Sequence, residues 1–329
     1  MSAMTHDVPV GGPQAGTDAA TARVSAGLAF AVVSAISFGL SGALARGLIE
    51  TGWSAGAMTL VRVALGALAL TPLGIIALRG RWRLLRRNLG LLAAYGTIAV
   101  AGAQFCYFSA VQHMQVGPAI LIEFTAPAAV VVYLWVRRGQ RPGRMTLAGA
   151  AIAAVGLVLV LDLLSGASLS LPGVLWALGA MVGCATYFII SADDANGLPP
   201  LVLAWAGLVV GGVILGLLGL VGVLPMRAST ANPTYADTSV AWWVPLVLLG
   251  LVTAALSYVA GIAAGRRLGS RLASFVALLE VVASVAWAWL LLSELPGPAQ
   301  LVGGLLILIG VVGVKLGERS VVVSGPGPS

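Results

Sequence analysis

Three charged side chains lie within otherwise apolar stretches of the sequence. Arg62 occurs in LVRVALGALAL, Glu123 in AILIEFTAPAAVVVYLW and Glu280 in ASFVALLEVVASVAWAW. A charge near the centre of a bilayer costs about 2.5–3.5 kcal/mol on insertion scales, so such residues are functional hypotheses by default. A desolvated carboxyl group can bind and release a proton, and a guanidinium can bind a carboxylate. In the structural alternative, a protonated Glu123 hydrogen-bonds to a neighbouring helix and Arg62 neutralises a carboxylate.

Composition places these residues in a membrane protein. Apolar residues make up 59% of the chain and charged residues 9%, and the mean hydropathy is +1.02, outside the range of soluble domains. Ten apolar runs have the length of about 18–25 residues that ~30 Å of hydrocarbon requires. They are 26–47, 54–78, 89–112, 116–136, 146–163, 172–191, 199–223, 241–264, 271–292 and 298–316. The short alternating segments of a transmembrane β-barrel do not appear. We therefore predict an all-α integral membrane protein with ten transmembrane helices.

The distribution of basic residues predicts the orientation of these helices. With the N-terminus inside, fifteen of the 18 Lys and Arg residues fall in cytoplasmic segments, Arg46 and Arg227 fall outside, and Arg62 lies within the second helix. Because Lys and Arg near helix ends stay cytoplasmic, both termini are predicted to be cytoplasmic. Residues 1–25 are predicted to be a disordered N-terminus without a cleaved signal, and residues 317–329 a cytoplasmic tail. The net charge of +7 is then explained by the inner leaflet rather than by nucleic acid.

The chain is predicted to consist of two five-helix repeats, residues 26–163 and 172–316. Gly27 aligns with Gly173, Tyr107 with Tyr258 and Glu123 with Glu280. Because five is odd, the second repeat enters the membrane from the opposite side, which relates the repeats by a pseudo-two-fold axis in the membrane plane. Inverted repeats of this kind favour alternating access to a site near the midplane.

A proline is expected to shape the helix that carries Glu123. Pro127 lacks an N–H, so it leaves the Glu123 carbonyl without its helical partner and kinks the fourth helix. The equivalent residue in the ninth helix is Ser284, and that helix should be straighter.

Several polar and aromatic residues are candidates for the lining of a central cavity, since binding sites combine a few polar groups with aromatic walls. Ordinary helix packing or interface anchoring is the alternative for each of them. The candidates are Gln104, Tyr107, Tyr187, Trp205 and Tyr258. Cys106 and Cys184 are predicted to be packing residues, and neither a metal nor another cofactor is expected.

Together, the ten-helix layout, Arg62 and two longer runs resemble the EamA family of the drug/metabolite transporter superfamily. The runs are YFSAVQHMQVGPAILIEFTAP and RLASFVALLEVVASVAWAWLLLSELPGPAQLVGGLLILIGVVGV. The IEFTAP segment is similar to the threonine and homoserine exporters. The resemblance covers residues 26–316 and implies a bacterial plasma-membrane exporter of amino acids or related small metabolites.

These features predict secondary active transport, with proton-coupled efflux of a small-molecule substrate by alternating access. In this hypothesis Glu123 or Glu280 carries the proton and Arg62 meets a substrate carboxylate. The lipid bilayer is the surrounding partner. Uniport, exchange and a homodimer are left open by the sequence.

Three alternatives belong to other functional classes. A multidrug or lipid-type exporter or flippase of the same superfamily would differ mainly in the character of its cavity. A membrane-embedded enzyme would need a metal or nucleophile constellation, and His6, His113 and the Asp193–Asp194 pair do not form one, so no enzyme is predicted. A non-transport membrane subunit would be expected to carry an extramembrane domain.

Overall fold

The computed structural model describes residues 13–113, 122–160, 170–293, 295 and 297–323, which form a bundle of helices with one short hairpin. The first helices are α1 (Pro13–Glu50), α2 (Ala55–Leu78), α3 (Trp82–Arg87), α4 (Leu89–Ala94), α5 (Ala103–His113), α6 (Ala126–Arg138) and α7 (Arg144–Val160). They are followed by α8 (Leu171–Ala192), α9 (Pro200–Leu220), β1 (Thr234–Tyr235), β2 (Thr238–Ser239), α10 (Trp243–Gly250), α11 (Ser257–Val276), α12 (Leu279–Leu292) and α13 (Pro298–Val323).

In the described part of the chain, six helical stretches are long and apolar enough to cross a membrane. They are Thr21–Glu50, Ala55–Leu78, Leu89–Tyr107, Leu171–Ala192, Pro200–Leu220 and Trp243–Val276. Shorter apolar helices cover Arg144–Leu159, Leu279–Leu292 and Leu301–Gly317. The predicted fourth run, 116–136, begins in residues that lie outside the described ranges.

The first and the last helix of the chain both extend beyond the predicted apolar runs. Residues 13–25, predicted to be disordered, continue α1 because Pro13 is tolerated in a first helical turn and the following segment is rich in alanine. Helix α13 continues to Val323, past the predicted boundary at residue 316. Residues 1–12 and 324–329 lie outside the described ranges.

Two of the membrane helices contain a π-helical segment, which the sequence did not predict. Tyr95–Gly102 joins α4 to α5, and Leu251–Leu256 joins α10 to α11. The first segment packs against α8 and α9, and the second packs against α1 and α2. The two π-helical segments thus pack mainly against different pairs of helices.

Helix breaks occur next to both intramembrane carboxyl groups. Residues 122–123 are helical, a turn at 124–125 follows in which Thr125 keeps right-handed helical angles, and α6 starts with Pro127 in its first turn, so the helix is interrupted where the kink was predicted. In the second half a turn precedes α12, which carries Glu280 in its first turn and continues unbroken through Ser284. Within α11, Gly269 has φ 77°, a left-handed conformation that favours glycine, and it breaks the helix.

Glycines bring α7 and α13 into close backbone contact. A Cβ on Gly149 would lie 2.6 Å from the Gly310 carbonyl oxygen, and one on Gly156 would lie 2.6 Å from the Gly303 carbonyl oxygen. Close approach through small residues is the usual way in which membrane helices associate. Gly303 lies 154 residues after Gly149, and Gly310 lies 154 residues after Gly156. The two contacts are therefore related by an approximate two-fold symmetry.

A second pair of glycine contacts repeats across the chain. A Cβ on Gly66 of α2 would lie 3.2 Å from the Gly250 carbonyl oxygen, and one on Gly211 of α9 would lie 3.4 Å from the Gly96 carbonyl oxygen. The numbers of Gly96 and Gly250 again differ by 154. The contact of α2 with the helix that contains Leu251–Leu256 thus corresponds to the contact of α9 with the helix that contains Tyr95–Gly102.

A hairpin between α9 and α10 is fastened to the end of α1. Its strands are antiparallel, with Thr234 opposite Ser239. The Tyr235 hydroxyl donates a hydrogen bond of 2.6 Å to the Leu44 carbonyl oxygen, and its ring lies against Gly47. The Ser54 hydroxyl donates to the Pro225 carbonyl oxygen at 2.6 Å, which fixes the start of α2 to the same loop.

We expect Tyr235→Phe to destabilise the protein by about 1 kcal/mol, because it removes this buried hydrogen bond to the Leu44 carbonyl. The apparent melting temperature in detergent should fall by roughly 2 °C. Tyr133→Phe is the matched control, since Tyr133 is 37% exposed on α6. Equal melting temperatures for the two variants would contradict the assigned role of Tyr235.

Candidate functional site

A cavity of about 1100 Å³ lies between the helices. At one side its lining reaches Arg46 and Glu50 near the end of α1 and Leu292 at the end of α12, and we name this side the Glu50 end. At the other side the lining stops at Ala31 and Ala264. Arg46 and Glu50 form an exposed ion pair, so the Glu50 end reaches the surface of the protein.

The opposite side, named the Arg266 end, is crossed by hydrogen bonds between helices. Arg266 donates through Nε to the Ser191 carbonyl oxygen at 2.9 Å and through Nη2 to Asn196 Oδ1 at 3.3 Å. Arg23 of α1 donates to the Arg266 carbonyl oxygen at 3.1 Å, and Arg271 donates to the Gln140 carbonyl oxygen at 3.1 Å. These bonds join α1, α8 and α11 beyond the end of the cavity.

The structure brings the three predicted charged residues together in the wall of this cavity. Arg62, Glu123 and Glu280 all line it. The Arg62 guanidinium donates to the Thr253 carbonyl oxygen at 2.6 Å, and its central carbon lies 5.7 Å from the centroid of the Phe38 ring. Among the described residues, an ion pair within 4.0 Å is formed by Arg46 and Glu50 and by no other residues, so neither cavity carboxyl is held in a salt bridge with Arg62.

The local backbone explains how these charged groups are positioned. Thr253 belongs to the π-helical segment Leu251–Leu256, which packs against α2 and presents its carbonyl to Arg62. Glu280 lies in the first turn of α12, directly after the turn that joins α12 to α11. Glu123 lies immediately before the broken start of α6. Broken helices at membrane depth are the usual location of binding sites in transporters with inverted repeats.

Aromatic side chains form one wall of the cavity. Phe38 and Tyr258 meet edge to face with centroids 5.3 Å apart, and Tyr187 lies 5.7 Å from Tyr258 and 5.1 Å from Phe188. Of the residues predicted to line a cavity, Gln104, Tyr107, Tyr187 and Tyr258 do so.

Trp205 is the exception among the predicted lining residues. Its ring packs against Gly74, and its indole Nε1 donates to the Thr71 hydroxyl at 3.0 Å, so it fastens α9 to α2 away from the cavity. Phe38 and Phe188, which line the cavity, were not predicted, since an isolated phenylalanine in an apolar run gives no sign of the surface that it faces.

The glycine spacing gives an alternative pairing between the halves. Gly96 and Gly250 are 154 residues apart, and carrying that spacing along their two helices pairs Tyr258 with Gln104 and Gly261 with Tyr107. The sequence alignment instead pairs Tyr258 with Tyr107.

Side chains of both charge signs line this cavity. The guanidinium of Arg62 can bind a carboxylate, and Glu123 or Glu280 can bind an ammonium group or a proton. Within the described ranges, no group of three His, Cys, Asp or Glu side chains is placed to hold a metal ion.

An all-α bundle of apolar helices is the architecture of a multi-pass membrane protein. The model of the EamA-like transporter family matches residues 25–162 and 171–316, and the chain belongs to this family. It is 30% identical over 271 residues to the probable terminal-alkyne amino-acid exporter of Streptantibioticus cattleyicolor, over 82% of this chain and 84% of that protein. One solved crystal structure superposes on this chain with a TM-score of 0.70 and a sequence identity of 19%. The superposition covers 91% of this chain and 99% of the other chain.

Proposed function

We propose that the protein is a secondary active transporter that exports amino acids or related small metabolites in exchange for protons. The observation that carries this proposal is that Arg62, Glu123 and Glu280 line the same cavity. A zwitterion could place its carboxylate at Arg62 and its ammonium group at one of the carboxylates. Membership of a transporter family and the printed name of the relative, an amino-acid exporter, support the same assignment.

The proposed arrangement in the membrane has ten spans in two inverted repeats, residues 26–163 and 172–316. The two stretches matched by the family model and the glycine contacts related by 154 residues support it. The excess of basic residues in the predicted inner segments supports cytoplasmic termini in a bacterial inner membrane. In that orientation the Glu50 end of the cavity faces outward and the Arg266 end faces the cytoplasm.

Proton coupling follows if the proton and the substrate ammonium group compete for one carboxylate. When the cavity faces outward, substrate leaves and the carboxyl group takes up a proton. When the cavity faces inward, the proton dissociates into the cytoplasm and the carboxylate binds the next ammonium group. Each state then favours one occupant, which is the condition for a ligand to shift a two-state equilibrium.

Purified protein in proteoliposomes tests the proposed function. With a panel of labelled amino acids, we expect counterflow and substrate accumulation driven by an acidic lumen, since protons leave as substrate is taken up. Empty liposomes are the control. Absence of counterflow with every amino acid would contradict the substrate class, and movement of lipophilic cations or labelled phospholipids instead would favour the multidrug or lipid-type alternative.

A further inference from the structure

One tyrosine closes the cavity against a glycine at its floor. Tyr187 of α8 is 9% exposed, and a Cβ on Gly261 of α11 would overlap its hydroxyl group. Both residues line the cavity, and the hydrogen bonds of the Arg266 end lie beyond them. A side chain on Gly261 would therefore displace the Tyr187 side chain or separate the two helices at this point.

The Tyr187 hydroxyl has no hydrogen-bond partner among the described residues, although it is buried. A buried hydroxyl without a partner weakens the arrangement that buries it, compared with one in which water reaches the group. The contact of Tyr187 with Gly261 is thus suited to opening and closing.

The pseudo-symmetry assigns this contact a counterpart at the Glu50 end. Carried along these two helices, the spacing of 154 residues between Gly96 and Gly250 pairs Gly261 with Tyr107 of α5. The alignment of Gly27 with Gly173 places Tyr187 opposite Ser41 of α1, next to Gly42. Each pair thus combines one tyrosine with one small residue. In the first pair the tyrosine is on α8 and the small residue on α11, whereas in the second pair the small residue is on α1, the counterpart of α8, and the tyrosine is on α5.

The two pairs differ in the structure. Helix α8 packs along α11, whereas α1 and α5 make no comparable contact among the described residues. A Cβ on Gly42 would have no atom within 4 Å, and Ser41, Gly42 and Tyr107 all line the open cavity. One pair is closed and the other is open.

We infer that Tyr107 closes the Glu50 end by packing against Ser41 and Gly42 when the contact of Tyr187 with Gly261 opens. This inference rests on the alternating access in the proposed function. It names the side chains that seal each end: Tyr187 from α8 at the Arg266 end, and Tyr107 from α5 at the Glu50 end. At each end one helix supplies a tyrosine and the other supplies a small residue. Each end can therefore close without a clash between two large side chains.

The test measures access to the cavity from the Glu50 end in whole cells. The reporter is Ser284→Cys, a cavity residue one turn beyond Glu280, in a Cys106→Ala, Cys184→Ala background, and the probe is a membrane-impermeant maleimide. Gly261→Ala opposes closure at Tyr187, so we expect the labelling rate to fall roughly tenfold as the population shifts to the other state. Adding Tyr107→Ala should restore labelling, because the Glu50 end can no longer seal.

The reciprocal variant is Gly42→Leu, which should hinder closure at Tyr107. We expect it to be labelled at least as fast as the protein that carries only the Ser284→Cys reporter in the same background. We also expect counterflow to slow roughly tenfold. Gly90→Leu is the matched control, since a Cβ there also has open space and Gly90 is outside the cavity lining. If Gly42→Leu is not monodisperse, the Gly261→Ala and Tyr107→Ala pair decides the question by itself.

Two results would overturn the inference. One is unchanged labelling in Gly261→Ala, and the other is labelling that stays low after Tyr107→Ala is added. The labelling needs no substrate, so it separates this inference from the substrate class. If labelling behaves as expected while wild-type protein moves no amino acid, the gates stand and the proposed substrate fails.

Discussion

Proteoliposomes that contain the Glu123→Gln protein will fail to concentrate substrate when their lumen is made acidic. For wild type, a gradient of one pH unit supplies about 1.4 kcal/mol per proton, which is enough for roughly tenfold accumulation in a one-to-one exchange. Glutamine has nearly the same shape as glutamate but cannot carry the proton. Accumulation should therefore fall to the external concentration, as measured by the uptake of labelled substrate.

A folding control is needed for this variant, because the proposed carboxylate also binds the substrate ammonium group. Counterflow by Glu123→Gln should therefore be weakened as well, and a monodisperse gel-filtration peak shows that the variant is folded. Asp237→Asn is the matched control, because Asp237 lies exposed in the hairpin turn with φ 60°, a conformation that asparagine tolerates. Tenfold accumulation by Glu123→Gln would show that this carboxyl is not the coupling group, and Glu280→Gln then tests the second carboxyl.

The second large effect concerns stability, at the crossing of α7 and α13. Gly310→Ala should destabilise the protein by about 1–3 kcal/mol, because the added Cβ would lie 2.6 Å from both the Gly149 carbonyl oxygen and the Ala153 nitrogen. These backbone atoms cannot move aside as a flexible side chain could. The gain in helix propensity from Gly to Ala is about 1 kcal/mol and opposes only part of this cost.

Gly304→Ala provides the comparison on the same helix. A Cβ there would meet only the methyl groups of Val282, at 3.7 and 3.8 Å, which is ordinary contact. Melting of the two variants in detergent, followed by the loss of the monodisperse fraction, should rank Gly310→Ala clearly below Gly304→Ala and wild type. Equal stability of the two variants would mean that the crossing can relax.

Helix positions were predictable from the sequence because hydrocarbon thickness fixes the length of an apolar run. The run 172–191 corresponds to Leu171–Ala192, and 54–78 corresponds to Ala55–Leu78. Pro127 also marked the break beside Glu123. The π-helical segments were not predictable, since they differ from α-helix by one residue per turn and depend on the helices packed against them.

The charged part of the site was predictable for an energetic reason, while its aromatic wall was not. A charge at membrane depth is costly, so Arg62, Glu123 and Glu280 were conspicuous against their apolar neighbours. An aromatic ring costs little in either lipid or a cavity, so the positions of Phe38 and Trp205 could not be decided. Trp205 proved to pack between helices, and Phe38 proved to contact Arg62.

The π-helical segment Tyr95–Gly102 changes the phase of the helix that contains it. An α-helix turns by about 100° per residue, so one additional residue in a turn rotates the rest of the helix by about that angle. Residues before the segment and those after it, including Gln104 and Tyr107, cannot be placed on one helical wheel. A one-residue deletion within it would restore a continuous α-helix and turn Tyr107 from the cavity towards another neighbour.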